Sequence, residues 1–182
     1  MLPSAAAQKS DAPPRDEKSA FSPAFYEPYA AAVQSLFLLC CALRDAMRIA
    51  GENPGVREMT YRLKTPASIG GKLLGKGLPV SPASAGSALH DVAGLRVVLD
   101  TTAQVYRFAR MLAAAPDVQL LSTRDYIANP KPSGYRSLHL LVRVPVSVDG
   151  KQLLVPAEIQ LRTVHMDIWA SIEHDAIYKP VK

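Results

Sequence analysis

Cysteine is nearly missing from this chain of 182 residues: there are two, and they are neighbours, Cys40 and Cys41. Adjacent thiols in an apolar helical stretch read as small core residues rather than as a disulfide. There is no CxxC and no HExxH, which excludes the usual zinc spacings. There is no GxxxxGK followed by Ser or Thr either, so a phosphate ligand would not be held by a P-loop, and the glycine-rich "GGKLLGKG" lacks that spacing. No apolar run approaches the roughly 20 residues of a membrane span. The most apolar stretch, "SLFLLCCAL", starts only at Ser35 and does not read as a signal peptide. The expected location is the cytoplasm, with no membrane partner.

What is present is an ordinary globular composition, 48% hydrophobic and 20% charged. The length suits one domain with tails. The net charge of +5 suits a polyanionic ligand such as a nucleotide or RNA, although proteins that bind neither carry as much. Residues 1–22, with "AAAQKSDAPPRDEKSA", have no apolar period and are expected to be disordered, leaving 23–182 as the domain.

From Pro28 to Ala50, apolar residues recur at three- and four-residue steps, which predicts a helix ended by "GENPG". In the next stretch, a short strand would point Arg62 and Lys64 the same way. A short helix from Pro66 would put Ser68 and Lys72 one turn apart. "GKGLPVSPASAGS" reads as a loop. "DVAGLRVVLD" enters a buried strand, "TAQVYRFARMLAAA" is an amphipathic helix, "DVQLLST" a strand and "RDYIANPKPSGY" a long polar loop. "RSLHLLVRVPV" and "QLLVPAEIQLRT" flank the turn "SVDG" as a hairpin, and Val164 to Tyr178 is helical. This order predicts an α/β (α+β) fold with one mixed sheet, since a hairpin argues against a purely parallel one.

Three groups carry chemistry. In the hairpin, period two puts Tyr135, Ser137 and His139 on one face and Leu138, Leu140 and Val142 on the other; Glu158, Gln160 and Arg162 oppose Ile159 and Leu161 in the same way. A solvated sheet face gives the same alternation, but it is usually Lys, Glu and Thr. This set could bring a carboxylate and an imidazole to a stacking aromatic. Asp91, before an apolar strand, could cap a backbone N–H or bind Mg²⁺, with Glu158 as a second carboxylate if the strands are neighbours. Arg62, Lys64 and Lys72 form either a solvated basic face or a polyphosphate grip. Arg124, Lys131 and Arg136 add charge around the polar loop.

Together, "YRLKTPASIGGKL", "DVAGLRVV", "RDYIANPKPSGYRSLHLLV" and "EIQLRTVHMDIWASIEHDAIYK" closely resemble the RelA/SpoT-type alarmone synthetase domain, in its single-domain small form. The resemblance implies a nucleotidyltransferase-like mixed sheet flanked by helices. It implies transfer of the β,γ-pyrophosphate of ATP to the ribose 3′-hydroxyl of GDP or GTP, giving ppGpp or pppGpp and AMP. Asp91 would hold Mg²⁺ beside Glu158, which would be a second ligand and act as general base or orient the hydroxyl. Arg62 and Arg96 would sandwich adenine, and Lys64, Ser68 and Lys72 would hold the ATP phosphates. Tyr135 would stack on guanine, Lys131 and His139 would contact the acceptor, and Arg136 and Gln160 would support them.

Two departures from the family pattern stand out. Gly75 occupies a place where a basic residue is usual, with Lys76 next. The helical pair that builds a homo-tetramer in relatives is expected to be absent beyond "YK", so self-association depends on chain outside this sequence. Two other functions fit the same motifs: a toxin-type enzyme that pyrophosphorylates adenosine nucleotides or the tRNA 3′ end, and a nucleotide- or RNA-binding relative without catalysis.

Overall fold

The structure is a computed structural model that describes residues 21–178, with side chains of the last helix described through Glu173. The expected disorder of the N-terminal tail falls on residues 1–20, outside the described residues. Phe21, counted in that tail by the sequence reading, is instead packed into the core.

Helix α1 spans Pro23–Ile49, five residues longer at its start than the apolar period predicts. Pro23 presets the first turn. Phe21, Phe25 and Tyr29 then stack one turn apart, with centroids 4.9 and 5.2 Å from each other in sequence. That aromatic row holds the first turns to the core and carries the helix through Pro28, whose missing N–H costs one intrahelical bond. By length and composition α1 could cross a membrane, a test that core helices of water-soluble domains also pass. Tyr29, Ala32, Val33, Leu36, Cys40 and Met47 are its buried face, and it packs on the sheet.

Strand β1 is Val56–Leu63. Helix α2, Pro66–Leu74, starts where Thr65 accepts the Ser68 N–H and Pro66 sits at the first position. The stretch expected to be a loop contains a further helix, α3, Pro82–Ala88. Ser81 caps it by accepting the Ser84 N–H, and Pro82 opens it, so capping chemistry outweighs the Gly/Ser composition. Then come β2 (Ala93–Leu99), α4 (Thr102–Ala113, opened by a Thr101–Gln104 capping box), β3 (Gln119–Asp125), β4 (Leu138–Val148), β5 (Lys151–Thr163) and α5 (Val164–Tyr178). Asp149 and Gly150 both have positive φ, +49° and +73°, the type I′ geometry that closes a two-residue hairpin between β4 and β5.

The five strands form one mixed sheet in the order β1-β2-β5-β4-β3; β2 and β5 are parallel and the other pairs antiparallel. Helices α1 and α4 cover one face, where Leu95, Val97, Leu138, Leu140, Ile159 and Leu161 are buried. Cys40 and Cys41 are free, and burial pushes the Cys40 thiol up to about 12, so it behaves as an inert core residue. The other face carries the polar half of the alternation.

Candidate active site

The pairing register lines up two rows across the polar face. Arg62, Gly94, Glu158, Leu141 and Ser122 are successive partners along one row; Thr60, Arg96, Gln160, His139 and Arg124 make the other. One strand crossing therefore brings residues from all five strands to a common floor. Gly94 adds no side chain to that floor, which leaves it lowest between Arg62 and Glu158.

Above the floor is a cleft with two lobes. One, of about 480 Å³, is lined by Arg62, Arg96, Gly94, Gln160 and Arg162, with Ala170 and Ser171 of α5 as a wall. The other, of about 300 Å³, is lined by Lys72 of α2, Lys76 in the turn after it, His90, Ser122, Arg124 and His139. Asp91 and Glu158 line both lobes. The parallel pairing of β2 with β5 does this, because Asp91 leads into β2 just beside Gly94, the partner of Glu158.

Asp91 Oδ2 accepts from Lys64 Nζ at 2.8 Å and from Lys72 Nζ at 2.7 Å. Burial alone would raise its pKa, but the two lysines outweigh that and hold it below the usual carboxylate range. Its other oxygen, Oδ1, is buried with no hydrogen-bond partner. A carboxylate with one oxygen neutralised and the other free, facing a second carboxylate across an open cleft, fits a hard cation such as Mg²⁺, which takes one or two carboxylates and completes its shell with phosphate and water. No group of three His, Cys, Asp or Glu residues able to hold a metal occurs among the described residues.

Glu158 Oε1 is 3.1 Å from His139 Nδ1, and Oε2 accepts from Gln160 Nε2 at 2.8 Å. Burial and the neighbouring Asp91 push its pKa up, but the His139 and Gln160 contacts prevail and hold it at about 2. It is ionised at neutral pH.

The remaining expected residues are spread more widely. Arg96 bonds Thr60 Oγ1 and pairs with Asp167 at 3.2 Å. Ser68 sits at the exposed start of α2, its hydroxyl accepting from Thr65. Tyr135 is not an open platform: it is 9% exposed, its hydroxyl is 2.9 Å from His139 Nε2, and its ring packs edge-on to Tyr126. Lys131 Nζ lies over both rings, 5.0 Å from Tyr126 and 4.7 Å from Tyr135. Arg136, expected in a supporting place, lines neither lobe: it is exposed between Tyr135 and Ser137, which are buried, and its guanidinium is 3.5 Å from the Ile127 carbonyl oxygen.

The sequence reading missed Arg162 and Asp167 as site residues. Arg162 continues the period-two polar face of β5 two residues beyond Gln160, which was a usable signal. Asp167 lies past the strand-to-helix corner, with no such signal. Trp169, also on α5, rests against Gly134 of the 126–137 loop, whose φ is +85°.

A five-stranded mixed sheet flanked by helices, with two carboxylates among cations in a cleft on its polar face, is an α+β fold of the kind expected. The profile of the family described as "Region found in RelA / SpoT proteins" matches residues 61–182. The chain is 39% identical over 131 residues to the GTP pyrophosphokinase YwaC of Bacillus subtilis (strain 168), covering 72% of this chain and 62% of that relative's length. It is 35% identical over 155 residues to the GTP pyrophosphokinase YjbM of the same organism, covering 85% of this chain and 72% of the relative. Its fold superposes on small alarmone synthetase 1 from Bacillus subtilis bound to its product pppGpp, with a TM-score of 0.79 at 35% identity over 86% of this chain and 79% of that one. The chain belongs to the RelA/SpoT family.

Proposed function

We propose that this protein is a GTP pyrophosphokinase that moves the β,γ-pyrophosphate of ATP to the 3′-hydroxyl of GDP or GTP, forming (p)ppGpp and AMP in the stringent response. The observation that carries this is the pair Asp91 and Glu158 on the boundary of two lobes of one cleft. Two nucleotides entering from either side would meet there.

The lobe with Arg62 and Arg96 suits the donor, since planar guanidiniums stack on a base. Lys64 and Lys72, which now neutralise Asp91, are placed to exchange that carboxylate for phosphate oxygens. The lobe with Lys76, Arg124 and His139 suits the acceptor's phosphates. Lys76 supplies a cation next to the place where Gly75 lacks one. Glu158 is anionic and accepts a hydrogen bond, so it orients the 3′-hydroxyl for attack. Held at about 2, it is a weak base by itself; the anionic nucleotides entering beside it would raise its proton affinity as the bond to phosphorus forms. Asp91, with Glu158, would hold Mg²⁺, which polarises phosphoryl oxygens and neutralises their charge. The residues' share of the work is positioning and charge neutralisation.

A cytoplasmic location and self-association belong to the same reading, the latter because Ile168, Trp169 and Ile172 are exposed along α5. Light scattering tests it. The activity is tested by incubating the protein with Mg²⁺, ATP and, in parallel, GMP, GDP, GTP, ADP and tRNA. AMP and a guanosine 3′-pyrophosphate are expected. Product on ADP or tRNA instead would identify the toxin-type reaction, and ATP binding without AMP from any acceptor would refute the enzyme.

A further inference from the structure

Arg162 is a charged side chain only 6% exposed. Nη2 donates to the Tyr135 hydroxyl at 2.7 Å and to Gln160 Oε1 at 2.9 Å; Nη1 donates to Asp167 at 3.0 Å, and Nε reaches Ser137 Oγ at 3.4 Å. A guanidinium has five donors, no acceptor, and stays protonated. It therefore sets the direction of every hydrogen bond that it enters.

Two branches leave Nη2. In the first, the Tyr135 oxygen accepts from Arg162, and its single proton points to His139 Nε2, 2.9 Å away. Nε2 is then the bare nitrogen, and the ring proton lies on Nδ1, which donates to Glu158 Oε1 at 3.1 Å. In the second, Gln160 turns its carbonyl to Arg162, so its amide N–H donates to Glu158 Oε2 at 2.8 Å. Both branches start on one nitrogen and end as N–H donors on the two oxygens of one carboxylate. Asp167 anchors the guanidinium that drives them and also pairs with Arg96 at 3.2 Å.

We propose that Arg162 is a positioning residue for pyrophosphate transfer: through Tyr135 and His139 on one branch and Gln160 on the other, it turns two N–H donors onto Glu158 and fixes which lone pairs remain for the acceptor hydroxyl. This rests on the pyrophosphokinase reading for its consequence, but not for its geometry. Without Arg162, the Glu158 carboxylate still accepts from His139 and Gln160, but nothing holds the far ends of the two branches, the Tyr135 hydroxyl and the Gln160 carbonyl, and Glu158 can rotate away from the acceptor hydroxyl together with its donors.

The test reads the His139 ring nitrogens by long-range ¹H–¹⁵N NMR, with His139→Gln identifying the signals. The intact protein should have Nδ1 protonated and Nε2 bare. The Glu158 carboxylate only accepts, so Nδ1 should stay protonated in every variant that keeps the ring. Tyr135→Phe should shift the bare Nε2 signal, which loses its donor, Arg162→Met should shift it as the hydroxyl is released, and Arg162→Lys, still donor-only, should keep the parent pattern. In kinetics, Arg162→Met should lower kcat by about 10- to 100-fold with ATP KM within about twofold, and Arg162→Lys should recover most of the loss. An unshifted Nε2 signal in Tyr135→Phe or in Arg162→Met, or undiminished kcat in Arg162→Met, would overturn the proposal. If Arg162→Met does not fold, Tyr135→Phe still decides. An intact protein that forms no AMP with any acceptor defeats the pyrophosphokinase reading while leaving the ring-nitrogen result to stand by itself.

Discussion

Lys72 donates to Asp91 Oδ2 over 2.7 Å, from the last turn of α2 to the residue that leads into β2. Lys64 shares that oxygen, so the lysine pair shields a carboxylate whose second oxygen is unpartnered. Lys72→Ala leaves the Lys64 pair intact, and Lys72 is half exposed, so the unliganded protein should lose less than about 1 kcal/mol of stability. Its ATP affinity should fall by more: a charge-assisted bond of about 1.5–3 kcal/mol corresponds to roughly 10- to 100-fold in Kd. Calorimetry with a non-hydrolysable ATP analogue measures this. An unchanged Kd would remove Lys72 from the donor site.

The acid limb of stability should depend on Glu158. Its folded pKa, about 2, lies below the ordinary glutamate value of 4.5. A group depressed on folding contributes stability that is fully present above the unfolded value and lost as pH falls through the folded one. In the absence of divalent cations, stability should therefore drop between about pH 4.5 and 2, with proton uptake on unfolding. Asp91 is depressed as well and adds to the drop. Denaturant melts across that range should show a shallower slope for Glu158→Gln. The same variant should abolish turnover and largely spare nucleotide binding.

Gly134 and Trp169 make a mechanical test of the acceptor loop. Gly134 holds φ +85°, and a Cβ there would sit 3.4 Å from the indole ring. Gly134→Ala should cost about 1–2 kcal/mol in backbone strain and displace the loop that carries Lys131 and Tyr135. Acceptor KM should rise while ATP KM stays near the parent value. The chain has one tryptophan, so its emission reports this contact directly. GDP should shift the emission in the parent protein, and an unresponsive spectrum would argue that the loop does not meet the acceptor.

Tyr135→Ala should act twice. The ring is buried between Tyr126, His139 and Lys131, so truncation should cost about 3–5 kcal/mol as a core aromatic does. Among molecules that remain folded, acceptor KM should rise far more than ATP KM. Equal effects on both would place Tyr135 in the scaffold alone.

Much of this was legible in the sequence. Period two placed Tyr135, Ser137, His139, Glu158 and Gln160 on one face and Leu138, Leu140, Ile159 and Leu161 on the other, and the structure has them so. The turn at Asp149–Gly150 needed two positive φ values, which "DG" advertises. The order of strands was not legible, because β5 inserting between β2 and β4 is a tertiary choice that no local pattern encodes. Helix α3 was hidden by serine and glycine, although Ser81 and Pro82 are a start signal. The start of α1 was hidden by Pro28, which long-range aromatic packing overrides. The depth of Tyr135 was not legible, since alternation says which face a residue occupies but not how deeply it is covered. Arg162 was seen only as another polar residue on β5. Its role depends on what lies across the strand and around the corner in α5.

Gly94 separates folding from function more cleanly than any residue with a side chain. A methyl group there would meet Arg62 Cγ at 3.7 Å, an ordinary contact, and its backbone needs no conformation reserved for glycine. The chain would fold as well with alanine. What would change is the floor of the larger lobe, midway between Arg62 and Glu158. The hydrogen atom at this position is a depth gauge: under the proposed function it would set how far a nucleotide descends toward the two carboxylates, while the fold itself is indifferent to its value.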